Sequence, residues 1–345
     1  MGRPNQAGQV EPTALEPEET DDAAEAAADE PESRAARVET AVHGERLDRW
    51  LVALAGEFSR SHLQTLIADG LVQVDGRVVT TPARRVSAGQ RIEVVLRQTA
   101  ESRAFRPEAE VAARWRIVHE DAALLVIDKP AGLVVHPAPG NWSGTLLNGL
   151  LAHHTGAARL PRAGIVHRLD KDTSGLLVVA KTLAAQTALT RAIAARAVRR
   201  EYLALAHGEP RQSAWTVDAP IGRDPVSRVR MAVVAGGKPA RTDVECLAAR
   251  DGLSALHCRL HTGRTHQIRV HLASCGHALV ADVLYGGRPA LGLERQALHA
   301  ARLAFAHPDD GRALDFTAPF PADLAAAWQQ VAPGIGGAAR MAHTG

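Results

Sequence analysis

Gly164-Ile165-Val166-His167-Arg168-Leu169-Asp170-Lys171-Asp172-Thr173-Ser174-Gly175 sets a basic residue, an acid and a turn-forming Thr-Ser-Gly ahead of the apolar run Leu176-Leu177-Val178-Val179. The apolar run reads as a buried strand. The segment before it is then a short loop whose acid is held at a sheet edge instead of moving freely in solvent. A carboxylate beside a guanidinium is favoured in its ionised form and is available as a nucleophile or a base. By physics alone Asp170 can also serve an Asx turn, the commoner task of a loop aspartate.

Outward from this loop, strands dominate. Residues 115–118 and 124–128 read as a hairpin, Leu146, Leu147, Leu150 and Leu151 mark a helix, and 183–196 reads as a helix with Leu183, Leu189 and Ile193 on its apolar face. Strands are expected at 201–206, 230–234, 242–247, 253–261 and 298–305, then a helix at 322–331. The stretch 262–271 is ambiguous: Ile268, Val270 and Leu272 alternate like a strand, but Thr265 can cap and Gly276 can stop a helix. The helix is expected, with Arg269 in its first turns. Strands outnumber helices without βαβ alternation, so residues 106–335 are expected to form an α+β domain with a mixed, mostly antiparallel sheet flanked by helices. Residues 336–345 are expected to be a flexible C-terminal tail.

The other end of the chain divides differently. Residues 1–40 are rich in Ala, Glu and Pro, which predicts a disordered acidic tail. Residues 41–105 read as a compact α/β module: Leu47, Trp50, Leu51 and Leu54 recur at helical spacing. Ser61 with Gln64 predicts a capping box on a second helix ended by Gly70, and Asp75-Gly76 predicts a hairpin turn. A polar linker is expected over 98–107.

The formal charge of +2 averages two unlike parts. Residues 1–38 hold ten acids against three arginines, leaving 37 basic and 28 acidic residues in the remainder, a balance suited to a polyanionic partner. Three cysteines in no Cys-x-x-Cys spacing point to a reducing compartment. Neither an apolar leader nor a run of ~20 apolar residues is found, so a cytoplasmic protein with no membrane partner is expected.

The wording His-Arg-Leu-Asp-x-x-Thr-Ser-Gly resembles the catalytic motif of the RluA-type pseudouridine synthases. Three further segments resemble that family in its order: Asp128-Lys129-Pro130-Ala131-Gly132, Arg200-Glu201-Tyr202-Leu203-Ala204, and Thr262-Gly263-Arg264-Thr265-His266-Gln267-Ile268-Arg269-Val270-His271. Leu298-His299-Ala300 through His307-Pro308 fits as well, as do Tyr285-Gly286-Gly287-Arg288-Pro289 and Arg295-Gln296-Ala297. The helix-helix-hairpin module resembles the S4 RNA-binding domain.

The resemblance implies a pseudouridine synthase catalytic domain that isomerises uridine in RNA without cofactor or metal. It implies Asp170 as the essential aspartate, Arg269 as its basic partner, Tyr202 against the target uracil and Arg168 in the stack that the flipped nucleotide leaves. Arg264, His167 and His271 in the large domain, with Arg49, Arg60 and Arg77 in the S4-like module, are the expected RNA contacts. Arg46 and His62 are further candidates for phosphates. The expected substrate is 23S rRNA in the pre-ribosomal large subunit, at neighbouring uridines of the helix 69 loop, with another 23S site or a tRNA as alternatives. Oligomeric state is open, a monomer being the expectation.

Other readings compete at single residues. A strand tyrosine such as Tyr202 is usually core, with its hydroxyl tied up. His257, His261, His266, His271, Cys275 and His277 lack the short repeated spacing of zinc ligands and read as structural or RNA-contacting. A non-catalytic RNA-binding protein of ribosome assembly explains the basic body but not the Asp170, Tyr202 and Arg269 set. A glycosidase calls for a second carboxylate as general acid, and none stands out.

Overall fold

The computed structural model describes residues 32–55, 58, 60–96, 104–138, 141–227 and 229–336. They form two units, one ending at Leu96 and one beginning at Ala104. Most of the expected tail, linker and C-terminal tail lie outside the described residues.

The smaller unit has a four-stranded sheet of order β1-β4-β2-β3, from β1 (Glu32–Arg37), β2 (Val72–Val74), β3 (Arg77–Val78) and β4 (Arg91–Leu96). Helices Leu47–Leu54 and Arg60–Ala68 bury Leu47, Trp50, Leu51, Leu63, Leu66 and Ile67 with Val72, Val74, Ile92 and Val94. The Asp75-Gly76 turn is as expected: both residues have positive φ, 50° and 75°, the geometry of a type I′ hairpin.

One expectation is corrected here. The acidic tail was to run to residue 40, but Glu32–Arg37 pairs antiparallel with β4 along its whole length. Composition misses it because its support is the backbone ladder that satisfies the edge of β4, not large apolar side chains. The expected Ser61–Gln64 capping box rests on the Ser61 side chain, which lies outside the described residues; Gln64 Nε2 donates to Asp48 Oδ2 at 2.6 Å.

The larger unit is built on β5 (Arg116–Glu120), β6 (Leu124–Lys129), β7 (Ser174–Ala180), β8 (Arg199–His207), β9 (Ala214–Asp218), β12 (Arg241–Arg250), β13 (Leu253–Leu260), β14 (Leu298–Ala306) and β15 (Ala313–Thr317). Their order is β5-β6-β7-β14-β8-β13-β12-β9, with β15 on β14. Among the described residues only the β7–β14 pairing is parallel, which agrees with the expected mixed, mostly antiparallel sheet. A small hairpin, β10 (Ile221–Arg223) with β11 (Met231–Val233), stands apart from it.

The period of two in β8 shows how both sheet faces are covered. Tyr202, Ala204 and Ala206 pack with helices Leu146–His153 and Gln267–Ser274 through Leu146, Leu147, Ile268 and Leu272. Leu203 and Leu205 pack on the opposite side with helix Ala322–Val331 through Leu324, Ala327 and Trp328. Helix Leu183–Ala194 covers β6 and β7 through Ala185 and Leu189, but Leu183 is 60% exposed, contrary to expectation. The reason is local: Thr182 caps the helix by accepting from Ala185 N at 3.1 Å, which leaves Leu183 as the outward first residue.

Candidate active site

The Asp170 loop is positioned by the strand after it and by side chains that reach in from the other motifs. β7 is buried throughout. Gly175 has φ 110°, and a Cβ there would sit 2.2 Å from Ala300 O, so glycine allows β14 to approach behind the loop. Lys129 Nζ donates to Pro130 O, Leu133 O and Lys171 O at 2.8–3.0 Å, joining the first motif to the second. Arg295 Nη1 donates to Asp172 O at 2.9 Å, and Ser174 Oγ hydrogen-bonds with His299 Nδ1 at 3.0 Å. Burial lowers Lys129 to about 7, against the opposing pull of Asp172 and Asp170.

Helix Gln267–Ser274 brings Arg269 to the loop, as the sequence predicts. Arg269 Nη1 donates to Asp170 Oδ2 at 3.1 Å. The rest of the guanidinium grips Asp282, Nε to Oδ2 at 2.7 Å and Nη2 to Oδ1 at 2.8 Å. Asp282 is 2% exposed, and the ring of Tyr285 lies 5.0 Å from the Arg269 guanidinium carbon. Burial opposes the charge on Arg269, but Asp282 and Asp170 more than offset it and hold the group protonated above its ordinary range. His266 precedes the helix at φ 57°, with Nδ1 2.7 Å from Tyr285 Oη and Nε2 3.8 Å from Asp170 Oδ1.

Asp170 lines a cleft of about 680 Å³. Its charged lining is otherwise arginine: Arg162, Arg168, Arg196, Arg200, Arg264 and Arg269. Such a cleft concentrates a polyanion around one carboxylate. Tyr202 reaches the same cleft from β8; it is buried in the core, as the core reading of a strand tyrosine has it, but its hydroxyl makes no hydrogen bond among the described residues. Burial, helped by Asp170 and opposed by Arg200, pushes its phenol up to about 12, so it stays neutral. Arg200 is buried beside it, and a Cβ on Gly263 would come within 2.7 Å of Arg200 Nη1. Arg168 is exposed at the cleft and forms no ion pair among the described residues.

Not every expected RNA contact faces solvent. His271 is fully buried, with Nδ1 2.9 Å from Thr242 Oγ1 and Nε2 2.9 Å from Ala219 O, so it braces its helix instead of meeting RNA. His167 is turned inward, its Nε2 accepting from Val178 N at 3.1 Å, and burial with Arg200 lowers it to about 3. In the small unit Arg49 and Arg77 are exposed, Arg49 near Glu45 at 3.3 Å. Arg46 and Arg60 both bind Asp48, and His62 is buried against Phe58. His257 and His261 pair with Glu201 and Asp243 at 3.2 and 2.5 Å, and His277 Nδ1 lies 3.0 Å from His207 O. Arg264 lines the cleft with Nε donating to Pro239 O at 3.1 Å.

Sequence reasoning missed Asp282, His266 as a neighbour of Asp170, and Tyr285 beside Arg269. The available signal was wording alone, the Tyr285-Gly286-Gly287 motif three residues after Asp282.

Comparison with known proteins gives a consistent result. Residues 123–274 match the RNA pseudouridylate synthase family and residues 45–92 match the S4 domain. The chain is 49% identical to ribosomal large subunit pseudouridine synthase D of Nitrosomonas europaea, over 84% of this chain and 85% of that protein. It is 46% identical to the protein of the same name from Neisseria meningitidis serogroup B, over 88% and 84%. A solved structure, human RNA pseudouridylate synthase domain containing 4, shares the fold with a TM-score of 0.50 and 24% identity, over 64% of this chain and 94% of that one.

Proposed function

The chain belongs to the RNA pseudouridylate synthase family, and on that premise we propose that it isomerises uridine to pseudouridine in the RNA of the large ribosomal subunit, with Asp170 as the acting carboxylate. The observation that carries this reading is the wiring of Asp170. Among the described residues it is the one acid lining the arginine-rich cleft, with Oδ2 on Arg269 and Oδ1 without a hydrogen-bond donor.

The reaction breaks the N1–C1′ bond of uridine, turns the uracil and forms C5–C1′. N1 ends protonated and the C5 hydrogen leaves as a proton, so the sum is an isomerisation that needs no redox partner. The open oxygen of Asp170 serves as the nucleophile at C1′ or C6, or as the base for C2′; all three routes require a carboxylate oxygen with a lone pair free for the substrate. Arg269 holds the plane of that carboxylate. Tyr202 offers the extruded uracil an aromatic face, and stacking of this kind is worth about 1–3 kcal/mol per base. Arg168, planar and unpaired, fills the gap left in the RNA stack. The remaining cleft arginines meet phosphates.

We place the target at neighbouring uridines in the helix 69 loop of 23S rRNA. Loop bases are already less stacked than those of a stem and are cheaper to flip. The S4-like unit, through Arg49, Arg77 and the outer edge of Arg60, adds contacts to a large structured RNA. A ribosomal substrate sets the work in the cytoplasm, and no helix among the described residues is long and apolar enough to cross a membrane. Every residue of the reading comes from one chain, so a monomer suffices. The test is uridine-specific carbodiimide mapping of rRNA and tRNA from cells lacking the protein. Pseudouridine is expected to vanish from the helix 69 loop alone; loss at another 23S position, or in tRNA, would refute the target, and unchanged maps would refute the activity.

A further inference from the structure

His266 lies between Tyr285 and Asp170, and the hydrogen bonds around it fix which nitrogen carries its proton. Met231 N–H donates to Tyr285 Oη at 3.0 Å. Oη accepts from Met231, and the phenolic proton's one acceptor among the described residues is His266 Nδ1, 2.7 Å away. Nδ1 is then the acceptor, and the neutral ring carries its proton on Nε2. Nε2 faces Asp170 Oδ1, the oxygen that Arg269 leaves free, at 3.8 Å.

We infer that His266 is a positioning residue for Asp170, presenting an Nε2–H to Oδ1, and that Tyr285 fixes the tautomer that makes this possible. The inference deepens the proposed function and rests on it. A separation of 3.8 Å closes to hydrogen-bond length when a reacting site tightens around its substrate. Arg269 on Oδ2 and His266 on Oδ1 then hold the carboxylate from both sides. The second contact adds to the hold that Arg269 already has on the carboxylate plane.

The surroundings keep the ring neutral. Burial lowers the His266 pKa, with Arg269 and Arg168 acting in the same direction and Asp170 and Asp282 against it. Burial also raises Tyr285, keeping its proton in place to donate. The His266 and Tyr285 rings meet edge to face at 5.6 Å, so the pair holds its geometry by packing as well as by the hydrogen bond. His266 itself sits in the left-handed region at φ 57°, a conformation costly for a histidine and fixed by the turn into the helix.

The experiment uses the full chain labelled with 15N-histidine, with His266 assigned by difference against His266→Gln, and the variant Tyr285→Phe. Phe keeps the ring against Arg269 but removes the hydroxyl. The wild-type imidazole is expected to show the neutral Nε2–H pattern, and Tyr285→Phe to move it to Nδ1–H or a mixture. In parallel, the single-turnover rate on large-subunit rRNA should fall about tenfold, the loss of one net hydrogen bond to a charged group, with RNA affinity unchanged. His266→Gln in the Tyr285→Phe background should add little further, because both changes remove one contact. An Nδ1–H or doubly protonated ring in the wild type, or a tautomer and rate unmoved by Tyr285→Phe, would overturn the inference. A wild type inert on rRNA would instead refute the proposed function, and the tautomer pattern would still decide the hydrogen-bond chain.

Discussion

Asp48 in the smaller unit and Asp170 in the larger are both acids set against arginines, but their wiring differs. Arg46, Arg60 and Gln64 bring five hydrogen bonds to Asp48 at 2.6–3.2 Å, and its side chain is fully buried. The Arg46 hydrogen bond, with those of Gln64 and Arg60, outweighs desolvation and holds that carboxyl far below the usual range. Asp170 accepts one side-chain hydrogen bond, on one oxygen, and its side chain is 16% exposed in a cleft. A saturated carboxylate locks two helices together; one with an open oxygen and a braced partner can react. The arginines differ in the same way: Arg46 and Arg60 are bound to structure, whereas Arg168 forms no ion pair among the described residues.

Arg269→Ala should do the most to break the contrast. It removes the one donor on Asp170 and strands buried Asp282, so the single-turnover rate should fall on the order of 10²–10³-fold, whereas Arg264→Ala, bonded only to a carbonyl, should lose far less. Equal, mild losses would remove Arg269 from the site. Asp48→Ala should cost the small unit about 2–3 kcal/mol in urea titration, discounted from a fully buried pair because Arg46 and Arg60 are half exposed. Isomerisation at saturating RNA should be nearly unchanged; a loss of turnover to match would merge the two roles. Asp282→Asn, which keeps the shape but halves the grip on Arg269, should slow turnover about tenfold with little effect on RNA affinity.

The smallest effect concerns acid. His167 and His136 have folded-state pKa values lowered to about 3 and about 4, both chiefly by burial, from an ordinary value near 6.5. Below pH 6.5 the unfolded chain takes up protons that the folded chain refuses, so stability falls progressively from there toward pH 4. Melting temperature across this window should show the decline, and His136→Phe should flatten part of it. An unchanged slope would mean that His136 is not held neutral.

How far the sequence could be read follows from the physics of each residue. β7 was legible because four apolar residues follow a turn, and helix Gln267–Ser274 because Thr265 and Gly276 bracket it, although His266 rather than Thr265 stands at its start. Asp170, Arg269 and Tyr202 were marked by wording, and the fold brings all three to one cleft. Asp282 was not legible: it reaches Arg269 through a tertiary contact from an irregular turn, where no period exists to read. The burial of His271 was not legible because a histidine in a basic motif gives no sign of which side of the backbone it takes. β1 was missed because a strand held by its ladder needs no apolar residues.

On the proposed reading, the open oxygen of Asp170 does the chemistry and contributes little to binding. This is tested most directly by single-turnover tritium release from large-subunit rRNA carrying 5-tritiated uridine, comparing the wild type with Asp170→Asn. The wild type is expected to release tritium and the variant to lose about 10³-fold or more in rate, with RNA affinity nearly unchanged. Release by Asp170→Asn at the wild-type rate would contradict it.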